Sequence, residues 1–149
     1  MKDFTGFSVQ ERGFIFVAAV MDRRADEIQS YIAEGADVHY DDDLALRISA
    51  YLGHLDMVKL VVGYGADVHA QGESALLSAV RVHDEAMARF LMENGADMSV
   101  VLTRTDILTR EDIYFAEEVR AHEISELAKK QVADLRANAK TARHLKLNL

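Results

Sequence analysis

The chain has 149 residues, half of them hydrophobic, with a formal net charge of −8 and no cysteine, proline or tryptophan. That size is one domain's worth of core. The missing cysteines exclude disulfides, thiolate metal sites and cysteine nucleophiles, and no apolar run approaches the roughly 18 residues of a membrane-spanning helix. Charge is uneven: residues 1–128 carry −13 and residues 129–149 carry +5. An acidic body argues against direct nucleic-acid binding, and the basic tail has no aromatic residue to stack on bases.

From the N-terminus, MKDFTGFSVQERGF mixes acids, bases and polar residues and does not read as a signal peptide. A soluble, cytoplasmic protein is expected. Residues 1–12 are expected to form a short turn covering Phe14 and Phe16. The segment FIFVAAVMDRRADEIQSYIAEGADVH (14–39) then reads as two helices joined at Arg23-Arg24.

The phrase GADVH at 35–39 returns at 65–69 and, weakened to GADMS, at 95–99. A fixed period of this kind marks a tandem array. The agreement extends to Ala45-Leu46 with Ala75-Leu76 and to Met57-Val58 with Met87-Ala88. Each unit predicts a helix, a tight turn, a second helix and a glycine cap. In the second unit the first helix carries Leu44, Ile48 and Tyr51. The second helix carries Leu55, Val58, Val61 and Val62, and Gly65 ends it. Asp37 is placed to order the turn by bonding nearby amides. The terminal unit has Arg23-Arg24 where the second has Gly53-His54, so its inter-helix turn is expected to differ.

After residue 100 the phrase is lost. Thr109 and Asp112 resemble a capping box, and Ile113, Ala116, Val119, Leu127 and Val132 support one helix or two with a break. The organisation read from these patterns is a repeat domain over 1–128, with units at about 12–40, 41–70 and 71–100 and a degenerate cap over 101–128. A basic helix or tail over 129–149 follows; it either frays or serves as a dimerisation or docking helix.

The run GHLDMVKLVVGYGADVHA (53–70) resembles the second half of an ankyrin repeat. Units of thirty residues are similar to the short ankyrin repeats of large viruses, phages and bacteria. The resemblance implies an all-α, ankyrin-like solenoid of stacked helical hairpins with helical caps. With three residues fewer than the usual unit, the projecting β-hairpins should shrink to turns. It also implies a non-enzymatic module that binds a protein through its concave face. Mapped on the ankyrin pattern, the contact positions are Tyr40, Asp42, Asp43, Tyr51 and His54, then Gln71, Glu73, Arg81, His83 and Asp84. Arg12, Arg23 and Arg24 extend the edge, and Asp41 completes an acidic run at the inter-repeat turn. These carboxylates suit a basic partner, such as a host protein with a nucleic-acid-binding surface that a small viral or bacterial accessory protein would block or modulate, in the host cytoplasm if viral. An adaptor or assembly protein dimerising through the C-terminal helix is the alternative reading.

Catalytic chemistry finds little support. His39 and His69 occupy equivalent positions about 10 Å apart, too far to share one metal ion. Each imidazole is expected to bond turn backbone and knit adjacent units. Residues 41–43 lack the ligand pattern of a calcium loop. No cofactor and no metal is expected, and a histidine-based metalloenzyme is the least favoured reading.

Overall fold

The computed structural model describes residues 6–147, with side chains to Asn138. Eight helices follow one another and no strand occurs among the described residues: α1 (Val9–Met21), α2 (Ala25–Ala33), α3 (Tyr40–Tyr51), α4 (Leu55–Gly63), α5 (Ala70–Arg81), α6 (Glu85–Glu93), α7 (Met98–Leu102) and α8 (Arg110–Leu147). The period survives folding intact. α2, α4 and α6 start at 25, 55 and 85 and end at 33, 63 and 93. The result is three stacked helical hairpins closed by α7 and α8, an all-α solenoid.

Each first helix packs against its neighbours, so that α1, α3, α5 and α7 form one row, and α2, α4 and α6 stand behind it. Packing is closer along the first row than along the second, which curves the stack toward the first helices. One continuous core runs through it. Phe16, Ile28, Leu46, Val58, Leu76, Met87, Leu91 and Val101 are fully buried.

The glycines of the repeated phrase close each second helix. Gly35, Gly65 and Gly95 take φ of 89°, 99° and 104°. Their amides and those of the following alanines return to the last turn, as in Ala36 N to Tyr31 O at 2.9 Å and Ala96 N to Leu91 O at 3.0 Å. That left-handed cap satisfies carbonyls which the helix end would otherwise leave open. Asp37, Asp67 and Asp97 then accept the amides of His39, His69 and Ser99 at 2.8–2.9 Å.

The Arg23-Arg24 turn does not differ from its counterparts. Arg23, Gly53 and His83 share a left-handed backbone, with φ of 55°, 73° and 54°. The next amide closes each turn identically, Arg24 N to Ala19 O, His54 N to Ser49 O and Asp84 N to Ala79 O, all 2.9 Å. A side chain in that region costs roughly 1–2 kcal/mol. Both non-glycine residues have a compensating contact. Arg23 pairs with Asp56 of the next unit at 2.8 Å, and His83 with Asp112 of α8 at 3.0 Å.

The ends also depart from expectation. Instead of a covering turn, residues 9–12 begin α1, capped by Ser8 and Glu11 in a reciprocal capping box. Phe16 is buried, but Phe14 is left 66% exposed. At the other end Thr109 and Asp112 form the expected box, Thr109 N to Asp112 Oδ2 at 2.8 Å and Asp112 N to Thr109 Oγ1 at 3.1 Å. α8 is one unbroken helix rather than two.

Candidate interaction face

α3 meets α1 and α5 on its flanks and α4 behind, which leaves one side open on the concave face. The thirty-residue period sets matching positions of α1, α3 and α5 side by side there. Phe14, Leu44 and Ser74 form one row, Ala18, Ile48 and Ser78 another, and Met21, Tyr51 and Arg81 a third. None of these nine is fully buried, whereas the intervening Ala45, Leu46, Ala75 and Leu76 are. Phe14, Met21 and Tyr51 are 66%, 43% and 71% exposed. Between the rows lie Arg47 and Leu77. The floor is therefore apolar and aromatic toward the N-terminal unit, with Arg81 at the C-terminal end. At the N-terminal edge Phe7, Phe14, Ile15 and Tyr40 line an open groove of about 400 Å³.

The acidic inter-repeat turns form the rim of this face. Residues 41–43 all lie in the left-handed region, with φ of 51°, 52° and 55°, and so do residues 71–73, at 53°, 63° and 63°. Three consecutive left-handed residues are rare because Cβ crowds the next carbonyl. The two units hold the strain differently. In the second, the Arg47 guanidinium donates to Asp41 O and Asp42 O at 2.9 Å each. In the third, Leu77 occupies the place of Arg47, and Gly72 takes the middle position without penalty.

The last residue of each triplet turns inward. Asp43 is 5% exposed and Glu73 3%. Each pairs with the histidine four residues earlier, His39 Nδ1 to Asp43 Oδ1 at 3.0 Å and His69 Nδ1 to Glu73 Oε1 at 2.6 Å. The Asp43 carboxylate also accepts the amide of Asp67, in the turn that leads into α5, at 2.9 Å. The expected role of the imidazoles is thus corrected: they bind carboxylates and not turn backbone. Asp43 ties the turn before α3 to the turn before α5. The hydrogen bond that the ring donates to Glu73, reinforced by the nearby charges of Glu73, Asp67 and Asp97 against the opposing effect of burial, raises the His69 pKa above the ordinary histidine value. Glu73 Oε2 is buried without a protein hydrogen-bond partner.

The anticipated contact residues divide accordingly. Asp43 and Glu73 are buried and serve the stack, which corrects their assignment to the binding surface. Arg12 donates to Phe7 O and Glu34 O, and Arg24 pairs with Glu27 at 2.7 Å. Tyr40 lies against Gly13, where an added Cβ would fall 2.2 Å from its ring. Asp84 caps α6 through the Met87 amide, His83 stacks on Phe115 at 4.9 Å, and His54 is half-buried. The Arg23 hydrogen bond, opposed by some burial, holds Asp56 below the usual carboxylate pKa. Asp41, Asp42, Tyr51, Gln71 and Arg81 remain exposed, with Gln71 donating to Asp42 at 2.6 Å across the units. Missed from sequence were Phe14, Met21, Leu44, Arg47, Ile48 and Leu77. Their signal was available in the equivalence of positions 14, 44 and 74 and of 21, 51 and 81.

Among the described residues no group of three or more His, Asp or Glu converges as a metal site, and no helix is long and apolar enough to cross a membrane. A curved stack of helical hairpins with an open face lined by residues that differ from unit to unit defines a repeat scaffold for binding other proteins. The family model for ankyrin repeats matches three copies over residues 15–101, and the chain belongs to the ankyrin-repeat proteins. No curated protein sequence matches it significantly. Ankyrin repeats are protein–protein interaction modules, typically non-enzymatic.

Proposed function

We propose that the protein captures a single protein partner on the open face of α1, α3 and α5, with Phe14, Ile48 and Tyr51 as apolar anchors and Arg81 as a polar one. The observation that carries this reading is the group of exposed large side chains on this face, Phe14 and Met21 on α1 and Tyr51, the equivalent of Met21, on α3. Aromatic residues and arginine dominate interface energetics because they bury area and donate hydrogen bonds together. Asp41 and Asp42 lie at the rim and not on the floor. They suit a partner whose contact segment is apolar in the middle and basic at one side, and such rim charges act mainly on association rate.

The short thirty-residue unit, similar to those of large viruses, phages and bacteria, supports an accessory role. Occupying and blocking a surface of a host protein, in the cytoplasm, would be the whole activity. The test is affinity capture from the native host with the wild-type chain and a Phe14→Ala, Tyr51→Ala variant, followed by binding measurements on the captured protein. Loss of the two anchors should weaken binding at least tenfold, while Asp41→Lys with Asp42→Lys should slow association and change its salt dependence. A partner held equally well by the anchor variant would refute the face.

A further inference from the structure

α8 continues well beyond the repeats it caps. Asp112, Ala116 and Val119 bury its first turns against the stack, whereas every residue from 124 to 138 is exposed. Two positions along a helix turn about 200° around it. The residues two places after the buried ones, Tyr114, Glu118 and Ala121, therefore point away from the repeats. The same stripe continues in steps of four and three through Ser125, Ala128, Val132 and Leu135. Tyr114, Val132 and Leu135 are 70%, 47% and 69% exposed, and Ile124 beside the stripe is 59% exposed. A shallow groove of about 480 Å³ runs along it between Ser125 and Arg136. Alternating steps of four and three are the spacing of a coiled-coil seam.

The charges of α8 are segregated along its length. Residues 110–128 carry Glu111, Asp112, Glu117, Glu118, Glu123 and Glu126 against Arg110 and Arg120. Residues 129–138 carry Lys129, Lys130 and Arg136 against Asp134. A helix laid parallel on an identical one would set like charge on like. Laid antiparallel, it sets the acidic half of each on the basic half of the other.

We propose that this face of α8 binds the same face of a second copy of the chain, antiparallel, with the seam centred between Glu126 and Leu127. In that register Ser125 lies opposite Ala128, and Ala121 opposite Val132. Ser125, Ala128 and Ala121 are small and allow close approach at the centre, with Val132 packing over Ala121 and Leu135 further out. Because the stripe points away from the stack, the paired helices leave the face of α1, α3 and α5 open on both copies. Dimerisation therefore stands apart from partner capture and is tested without a partner.

Sedimentation equilibrium on the full chain should give twice the chain mass, with dissociation at least tenfold stronger in molar salt than in dilute buffer. Val132→Glu with Leu135→Glu should abolish the dimer. Both side chains are exposed, so circular dichroism and thermal unfolding of the repeats should stay unchanged. The chain has no cysteine, so Ala137→Cys gives a unique spin-label site on the far side of the helix. In the antiparallel register the two labels are offset by about 30 Å along the axis, at about 1.5 Å per residue. In a parallel pair they lie side by side. A monomer up to millimolar concentration, a dimer indifferent to the double substitution, or a short label distance would each overturn the proposal.

Discussion

The Asp43 carboxylate, buried at the start of α3, accepts the Asp67 amide of the turn before α5 at 2.9 Å while holding the His39 ring at 3.0 Å. It stands at the end of three left-handed residues, so a strained turn and a bond joining successive turns depend on one side chain. Asp43→Ala leaves the Asp67 amide without its acceptor and should cost about 1–3 kcal/mol. Urea denaturation measures it. An unchanged midpoint would mean that water replaces the carboxylate without loss. Asp43→Asn keeps an acceptor and should cost less.

The His69–Glu73 pair predicts a pH dependence of definite sign. Its hydrogen bond to Glu73 raises the folded-state pKa of His69 above the unfolded value. The corresponding stability is fully present below the ordinary histidine pKa of about 6.5 and is lost as pH rises through the folded value. Urea midpoints of wild type and Glu73→Gln should differ most at pH 5.5 and converge toward pH 9. A gap that widened with pH would reverse the assignment.

Gly13 in α1 has no space for a side chain, because Tyr40 lies where its Cβ would be. Gly13→Ala should therefore destabilise by roughly 1–3 kcal/mol through overpacking, although alanine is the better helix former. Adding Tyr40→Ala removes the obstruction. In a double-mutant cycle the alanine at 13 should then become neutral or favourable, and independent, additive effects would count against the packing explanation.

At the inter-helix turns the same backbone is occupied by different residues, which gives opposite expectations for opposite exchanges. Gly53→Ala introduces a side chain at φ 73° and should cost about 1 kcal/mol or more. Arg23→Gly relieves the same strain but loses an exposed ion pair worth about 0–1 kcal/mol, so thermal unfolding should hardly change. A large loss on Arg23→Gly would mean that the Asp56 pair organises the turn.

The architecture was readable because glycine caps, buried apolar positions and the thirty-residue period are all local statements repeated in register. The Arg23-Arg24 turn is not legible in its residue types, because residue type alone does not dictate φ. There, tertiary contacts from Arg23 and His83 to the neighbouring unit sustain a conformation that side chains disfavour. The candidate face was only partly legible. Acidic residues at a turn suggested surface, yet Asp43 and Glu73 fold inward because a left-handed triplet redirects its last side chain, which spacing along a helix does not reveal. Tyr51 and Arg81 are exposed at the ends of α3 and α5, where helical spacing alone puts them on the surface. The unbroken run of α8 follows from the absence of proline and glycine after Gly95, a signal that outweighs its weak apolar pattern.

The shared helix boundaries of the three hairpins have a consequence for growth of the molecule. Residue 70 stands to the stack as residue 40 does, with the same capped helix behind it and the same turn ahead. A duplicated copy of residues 41–70 could therefore be spliced in at either junction without creating a new kind of interface. Length is a free variable in this chain, and an added hairpin would lengthen the open face by one more row of residues with the original fold unchanged on both sides.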